Sequence, residues 1–141
     1  MADADYSILN VLILDDVRAA RSLFRAILRT FNINDVLEAE DGAAALSLLE
    51  GTPRDLVITD YSMKPMDGIE FTCRLRRLLR GTDPFIQVLM VSAHSEVTLI
   101  KSALQAGVND FIAKPITRAA VEQRLKMAVQ RRIATKEVAF L

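Results

Sequence analysis

The sequence predicts an α/β fold: a doubly wound, five-stranded parallel sheet in the order 2-1-3-4-5, with five helices. Short Val/Ile/Leu-rich runs alternate with stretches of helical periodicity, and the alternation repeats five times. Polar residues follow the ends of the runs. Such continuous apolar runs are what a parallel sheet covered on both faces requires. Right-handed crossovers prune the remaining topologies, and 2-1-3-4-5 is the simplest that survives. Strands one and three are then neighbours at the point where the strand order reverses.

Leu9 to Leu14 (LNVLIL) reads as the first strand and ends in Asp15-Asp16. Ala20, Phe24, Ile27, Leu28 and Phe31 recur at helical spacing, so a first helix is predicted over roughly Val17–Phe31. Val36–Ala39 is a brief second strand. Asp41-Gly42 opens a helix to Leu49, which Gly51-Thr52-Pro53 stops. Leu56–Thr59 is a third buried strand, delivering Asp60. Ile69, Phe71, Leu75, Leu78 and Leu79 mark a third helix closed by Gly81, and Gln87–Val91 is the fourth strand. Val97, Ile100, Ala103 and Leu104 trace a fourth helix ending at Gly107. Asp110–Ala113 is a fifth strand, broken by Lys114-Pro115, and Val121, Leu125, Ala128, Val129 and Arg132 carry a last helix. The chain reads as one domain over residues 1–141, with a core of about 8–133 and a C-terminal tail, 134–141, that extends the last helix or frays.

Composition narrows the function. Lys plus Arg and Asp plus Glu number 18 each, so no overall charge draws the chain to nucleic acid or an anionic membrane. Cys73, the single cysteine, cannot form an intramolecular disulfide, and no Cys/His spacing resembles a zinc site. The acidic start lacks a signal peptide's basic and apolar regions, and no apolar run approaches the ~20 residues that span a bilayer. A cytoplasmic location is expected.

Ligands of open α/β sheets sit outside the carboxyl ends of the strands at the switch point. Asp15, Asp16, Asp60, Ser92 and Lys114 all follow such ends. Three carboxylates at one edge repel one another, so at least one should have a raised pKa. A divalent cation removes the conflict, and hard oxygen ligands with room for water suit Mg²⁺. With a lysine and a hydroxyl beside them, the set fits acyl-phosphate chemistry on a carboxylate nucleophile. Singly, each residue has a plainer reading. Asp15 and Asp16 can cap a helix, Asp60 and Ser92 can form turns, and Lys114 can be surface. Those readings leave unexplained why five polar residues on four loops converge on one edge.

In these pieces the sequence resembles the response-regulator receiver domains of two-component signalling. They are Leu14-Asp15-Asp16; Thr59-Asp60 with Met63 and Met66-Asp67-Gly68; Val91-Ser92-Ala93; and Ala106-Gly107 through Lys114-Pro115-Ile116. The resemblance covers about Leu9 to Arg132 and implies a flavodoxin-like fold. It implies Asp60 as phosphoacceptor, and Asp15, Asp16, Asp60 and the Ser62 main-chain carbonyl as the Mg²⁺ site. By the same resemblance Ser92 is the switch hydroxyl, Lys114 the family lysine, and Phe111 the aromatic that moves inward on activation. Ser62 and His94 occupy the positions that tune hydrolysis. The phosphoryl donor it implies is a phosphohistidine on a sensor histidine kinase or a histidine phosphotransfer protein. Lys64 stands where the family often has proline, with Pro65 following, so the loop shape is expected to differ. Phe111 replaces the commoner tyrosine, so a switch through it acts by packing alone.

The chain ends soon after the last helix, so output is expected through an unknown partner protein. The surface of the fourth helix, fifth strand and fifth helix is the expected readout, and it is compatible with a homodimer. A competing reading is an aspartyl-phosphate phosphatase of the haloacid-dehalogenase type. That class places a second Asp two residues after the nucleophile, where this chain has Ser62. A pseudo-receiver that is never phosphorylated would not need the complete acid set. Arg74, Arg76, Arg77 and Arg80 read as a solvated helix face, Cys73 as a small core or helix-face residue, and Leu99 as part of an interaction surface. Lys114 must point back from a strand end, which favours a cis Lys114–Pro115 peptide.

Overall fold

A computed structural model describes residues 5–139, with side chains through Thr135. The strands are β1 (Val11–Leu14), β2 (Val36–Ala39), β3 (Leu56–Asp60), β4 (Gln87–Ser92) and β5 (Asp110–Ala113). The helices are α1 (Arg18–Arg29), α2 (Gly42–Gly51), α3 (Gly68–Leu78), α4 (Val97–Ala106) and α5 (Arg118–Ala139). All strand pairs are parallel, in the order β2-β1-β3-β4-β5.

Alternation along the central strands builds two cores. Val11 and Ile13, Leu56 and Ile58, and Leu89 and Val91 face one cluster, with Phe24 and Leu28 of α1 and Val121 and Leu125 of α5. Leu12 and Leu14, Val57, and Val88 and Met90 face the other, with Leu49 of α2, Phe71 and Leu75 of α3, and Ala103 of α4. Successive side chains point to opposite faces, so only a strand apolar throughout serves both clusters. β1, β3 and β4 are buried at every position.

Element ends differ from the sequence expectation where side chains compete for the backbone. A 3-10 turn over Tyr6–Ile8 precedes β1, with the Asp5 carboxylate accepting from the Ser7 amide at 3.0 Å. The strand therefore starts at Val11, although Leu9 is buried. Asp41 and Asp67 cap α2 and α3, accepting from the Ala44 and Glu70 amides, each at 2.8 Å. The expected tail is helical through Ala139; Phe140 and Leu141 lie outside the described residues. Among the described residues no helix is long and apolar enough to cross a membrane.

Candidate functional site

Parallel register brings the carboxyl ends of four strands to one edge. Leu14 pairs with Thr59, which sets Asp15 level with Asp60. Asp60 pairs with Val91 and Ser92 with Ala113, so Ser92 and Lys114 follow one step further along the sheet. Carboxylate oxygens of Asp15, Asp16 and Asp60 all lie within 4.8 Å of one another. Asp15 and Asp60 are buried and Asp16 is exposed. Lys114 Nζ lies 3.1 Å from Asp60 Oδ1. The sequence expected both the acid group and its lysine.

Burial pushes the Asp15 carboxyl above its ordinary value, and the Asp60 and Asp16 charges act in the same direction. The Val17 amide, which donates to Asp15 Oδ1 at 2.9 Å, and the Lys114 charge oppose them. The helix-cap reading of Asp15 is thus partly right: Val17 is the α1 N-cap, without a side-chain bond of its own, and Asp15 satisfies its amide. Three hard oxygen donors, two of them buried, one with its charge disfavoured by burial and neighbouring anions, fit a small divalent cation.

The loop after Asp60 is held against the site. Gly68 N donates to Tyr61 O at 2.9 Å, and Tyr61 N to Val91 O at 2.9 Å. A β-carbon on Gly68 would collide with the Asp60 carbonyl, so this position needs a glycine for close approach. Lys64–Pro65 is cis, as is Lys114–Pro115, the latter as the sequence led us to expect. Ser62 is exposed, in a cleft of about 440 Å³ shared with Asp16, Tyr61, Met63, Lys64 and Asp67. A second opening of about 560 Å³, among Leu23, Phe24 and Ile116, also touches Asp15 and Lys114. Another cavity, about 470 Å³, lies at the opposite edge between Leu49, Pro53 and Ile86 and plays no part here.

Ser92 is buried, and its Oγ accepts from His94 N at 2.9 Å. His94 is exposed beside Glu96, with Nδ1 3.6 Å from Oε1. Phe111 is half-buried and packs against the core cluster beneath α3 and α4.

Some partners were not foreseen. Arg21 Nη1 donates to the Asp15 carbonyl at 2.7 Å, and Thr59, fully buried, donates its hydroxyl to the Asp60 carbonyl at 2.9 Å. A threonine inside an apolar run is the only signal the sequence offered. Arg76 is not part of a solvated face. It is half-buried, its guanidinium donating to the carbonyls of Gly107 and Ile86. Arg74, Arg77 and Arg80 are exposed, and Cys73 is on an exposed helix face. Leu99 is half-buried, as is Ile100; Val97 and Leu104, two of the four apolar residues that trace this helix in the sequence, are exposed.

The sequence model of the response regulator receiver domain matches residues 11–126. The chain belongs to the response-regulator receiver family. Among curated relatives it is 34% identical over 125 residues to "Chemotaxis protein CheY-3" of Vibrio cholerae, covering 87% of this chain and 93% of that protein. It is 32% identical to "Chemotaxis protein CheY" of Pseudomonas aeruginosa, covering 87% and 98%. Among solved structures, a chain of the CheX-CheY-BeF3-Mg+2 complex from Borrelia burgdorferi matches with a TM-score of 0.78 and 30% identity, covering 86% of this chain and 89% of that one. Receivers are signalling modules of two-component systems and bind Mg²⁺ at an aspartate cluster; the Asp15/Asp16/Asp60 group is the matching feature here.

Proposed function

We propose that Asp60 accepts a phosphoryl group from a phosphohistidine and that the chain relays this event to a partner protein. The observation that carries the reading is one cluster: three carboxylates within 4.8 Å, with Lys114 at 3.1 Å from Asp60, at the switch point of a receiver fold.

An Asp60 carboxylate oxygen attacks phosphorus; a P–O bond forms as the P–N bond breaks, and its electron pair stays on the imidazole nitrogen. Lys114, paired with that carboxylate, follows the negative charge onto the phosphoryl oxygens. Ser92 Oγ accepts from the His94 amide, which leaves the hydroxyl proton available for a phosphoryl oxygen. Asp15, Asp16, Asp60 and the Ser62 main-chain carbonyl would hold the Mg²⁺, which when bound neutralises charge on the carboxylates and the transferring group. Water later attacks phosphorus; a new P–O bond forms as the bond from phosphorus to the Asp60 oxygen breaks, releasing inorganic phosphate and regenerating the Asp60 carboxylate. Exposed Ser62 and His94 sit on the loops around that path and tune its rate. The chain catalyses only its own phosphorylation and dephosphorylation.

The donor is a sensor histidine kinase or histidine phosphotransfer protein. The receiving surface is the α4–β5–α5 face, where Ser92 at the root of α4 and Phe111 on β5 change packing together, towards a second copy or a heterologous partner. A cytoplasmic location suits such partners.

Treatment with acetyl phosphate and Mg²⁺, followed by mass spectrometry, tests the reading. One labile adduct is expected, on Asp60, absent without Mg²⁺ and in Asp60→Asn. Undiminished labelling of the variant, or a stable adduct on Ser92, would overturn it.

A further inference from the structure

The two ends of α4 are held very differently. At its C-terminus the helix closes in a Schellman arrangement: Gly107 N donates to Leu104 O at 3.1 Å and Val108 N to Ala103 O at 3.0 Å. Gly107 takes a φ of 107°, which favours glycine, while Val108 and Ala103 are both buried in the core. Onto this closure Arg76 of α3 sets its guanidinium. Nε and Nη2 donate to the Gly107 carbonyl at 3.1 and 2.7 Å, and Nη2 to Asn109 Oδ1 at 2.8 Å. Nη1 donates to the Ile86 carbonyl at 2.6 Å. Asn109 is itself pinned to β4, since its Oδ1 accepts from Val88 N at 2.7 Å and its main-chain N–H donates to Val88 O at 2.9 Å. A cation at a helix C-terminus also meets the negative end of the helix dipole.

The N-terminus of α4 has no comparable support. Glu96 is the N-cap and makes no side-chain capping bond. Residues 93–98 are exposed, Val97 to 66%. The contact tying this end to the site is the His94 amide on Ser92 Oγ.

We infer that α4 answers a change at Asp60 as a lever hinged at Gly107, with Arg76 as the pin. This rests on the reading of Asp60 as the phosphoacceptor. A phosphoryl oxygen recruiting the Ser92 hydroxyl disturbs the His94 amide, at the unsupported end. Arg76 holds the other end to α3, β4 and the segment before β5, so displacement decreases along the helix. Val97 moves, whereas Leu104, near the hinge, is a constant part of the outer surface. Arg76 is a positioning residue: it acts through Gly107 and touches no reacting atom.

The test is backbone amide shift mapping of the full chain with Mg²⁺, before and after beryllofluoride, in the wild type and in Arg76→Met. In the wild type, shifts at His94–Ile100 should fall to baseline at Gly107, Val108 and Asn109. In Arg76→Met, which keeps the apolar stem but no donor, those three amides should join the shift. Their exchange protection should drop as well. If Arg76→Met does not fold, the wild-type gradient decides alone. Shifts at Asp16, Asp60 and Ser62 with equal shifts at both ends of α4, or with none at either end, overturn the lever only. An absence of shifts at the site itself overturns the phosphoacceptor reading, and the lever falls with it.

Discussion

Asp15 is 5% exposed and shares its edge with two more carboxylates, so its ionised form is disfavoured by burial first and by neighbouring charge second. A carboxyl whose folded-state pKa lies above its unfolded-state value binds more protons folded than unfolded within that interval. Stability from this group therefore falls as pH rises through the interval and recovers as pH falls. Asp15→Asn removes the charge but keeps an acceptor for the Val17 amide. In EDTA at neutral pH the variant should melt at a higher temperature than the wild type. The difference should shrink as the buffer is made acid. With Mg²⁺ the order should reverse, because the wild type gains a ligand interaction the variant lacks. A variant that melts lower in EDTA would show that the Asp15 charge is already compensated without a cation.

At the scale of elements, the strands were legible because a doubly covered sheet leaves no polar position in β1, and β3 breaks the rule only at Thr59 and Asp60. Their boundaries were less legible. Leu9 is as buried as a strand residue yet precedes β1, because burial is what an apolar run reports and pairing is not. The acid positions of the site were readable for the same reason as the strands: Asp15-Asp16 and Thr59-Asp60 are the polar pairs on which two apolar runs end. Arg76 was not readable, since most of its acceptors are main-chain carbonyls, which have no residue type, and its one side-chain acceptor, Asn109, lies 33 positions away. Helix caps lie between these cases, and two of them separate stability from function. Asp41 and Asp67 make the same capping bond, so either change to alanine should cost about 0.5–2 kcal/mol in urea unfolding. α3, unlike α2, starts at a glycine, Gly68, where a β-carbon would collide with the Asp60 carbonyl. Asp67→Ala should therefore slow phosphorylation by acetyl phosphate, and Asp41→Ala should leave it near the wild-type rate. Equal slowing in both variants would mean that global stability, not loop placement, limits the reaction.

Across the whole molecule, two charge clusters sit at opposite ends of the central strand β3. The carboxyl edge carries the acid group and Lys114. At the amino edge Arg54, itself buried, holds Asp35 at 2.8 Å, while Arg132 of α5 holds Asp55 at 3.2 Å and Asp83 at 3.0 Å. Asp55 also accepts from the Asn10 amide at 2.9 Å, so this edge locks α5 and the entry to β1 onto β3 without any added ion. Asp55 and Asp60 are five residues apart along an extended chain, roughly 16 Å at ~3.3 Å per residue. Perturbations separated by more than about 7–10 Å, with no shared partner, add to within about 0.5 kcal/mol. Arg132→Met removes charge-assisted hydrogen bonds and should cost about 1.5–3 kcal/mol in urea unfolding. Mg²⁺ at a hundredfold excess over its dissociation constant should stabilise the wild type by about 2.7 kcal/mol. Measured together, the cost of Arg132→Met should be the same with and without Mg²⁺. A discrepancy above about 0.5 kcal/mol would mean that β3 transmits strain between its ends. Additivity would mean that the amino edge maintains the fold while the carboxyl edge is free to change charge, as a site that gains and loses a phosphoryl group requires.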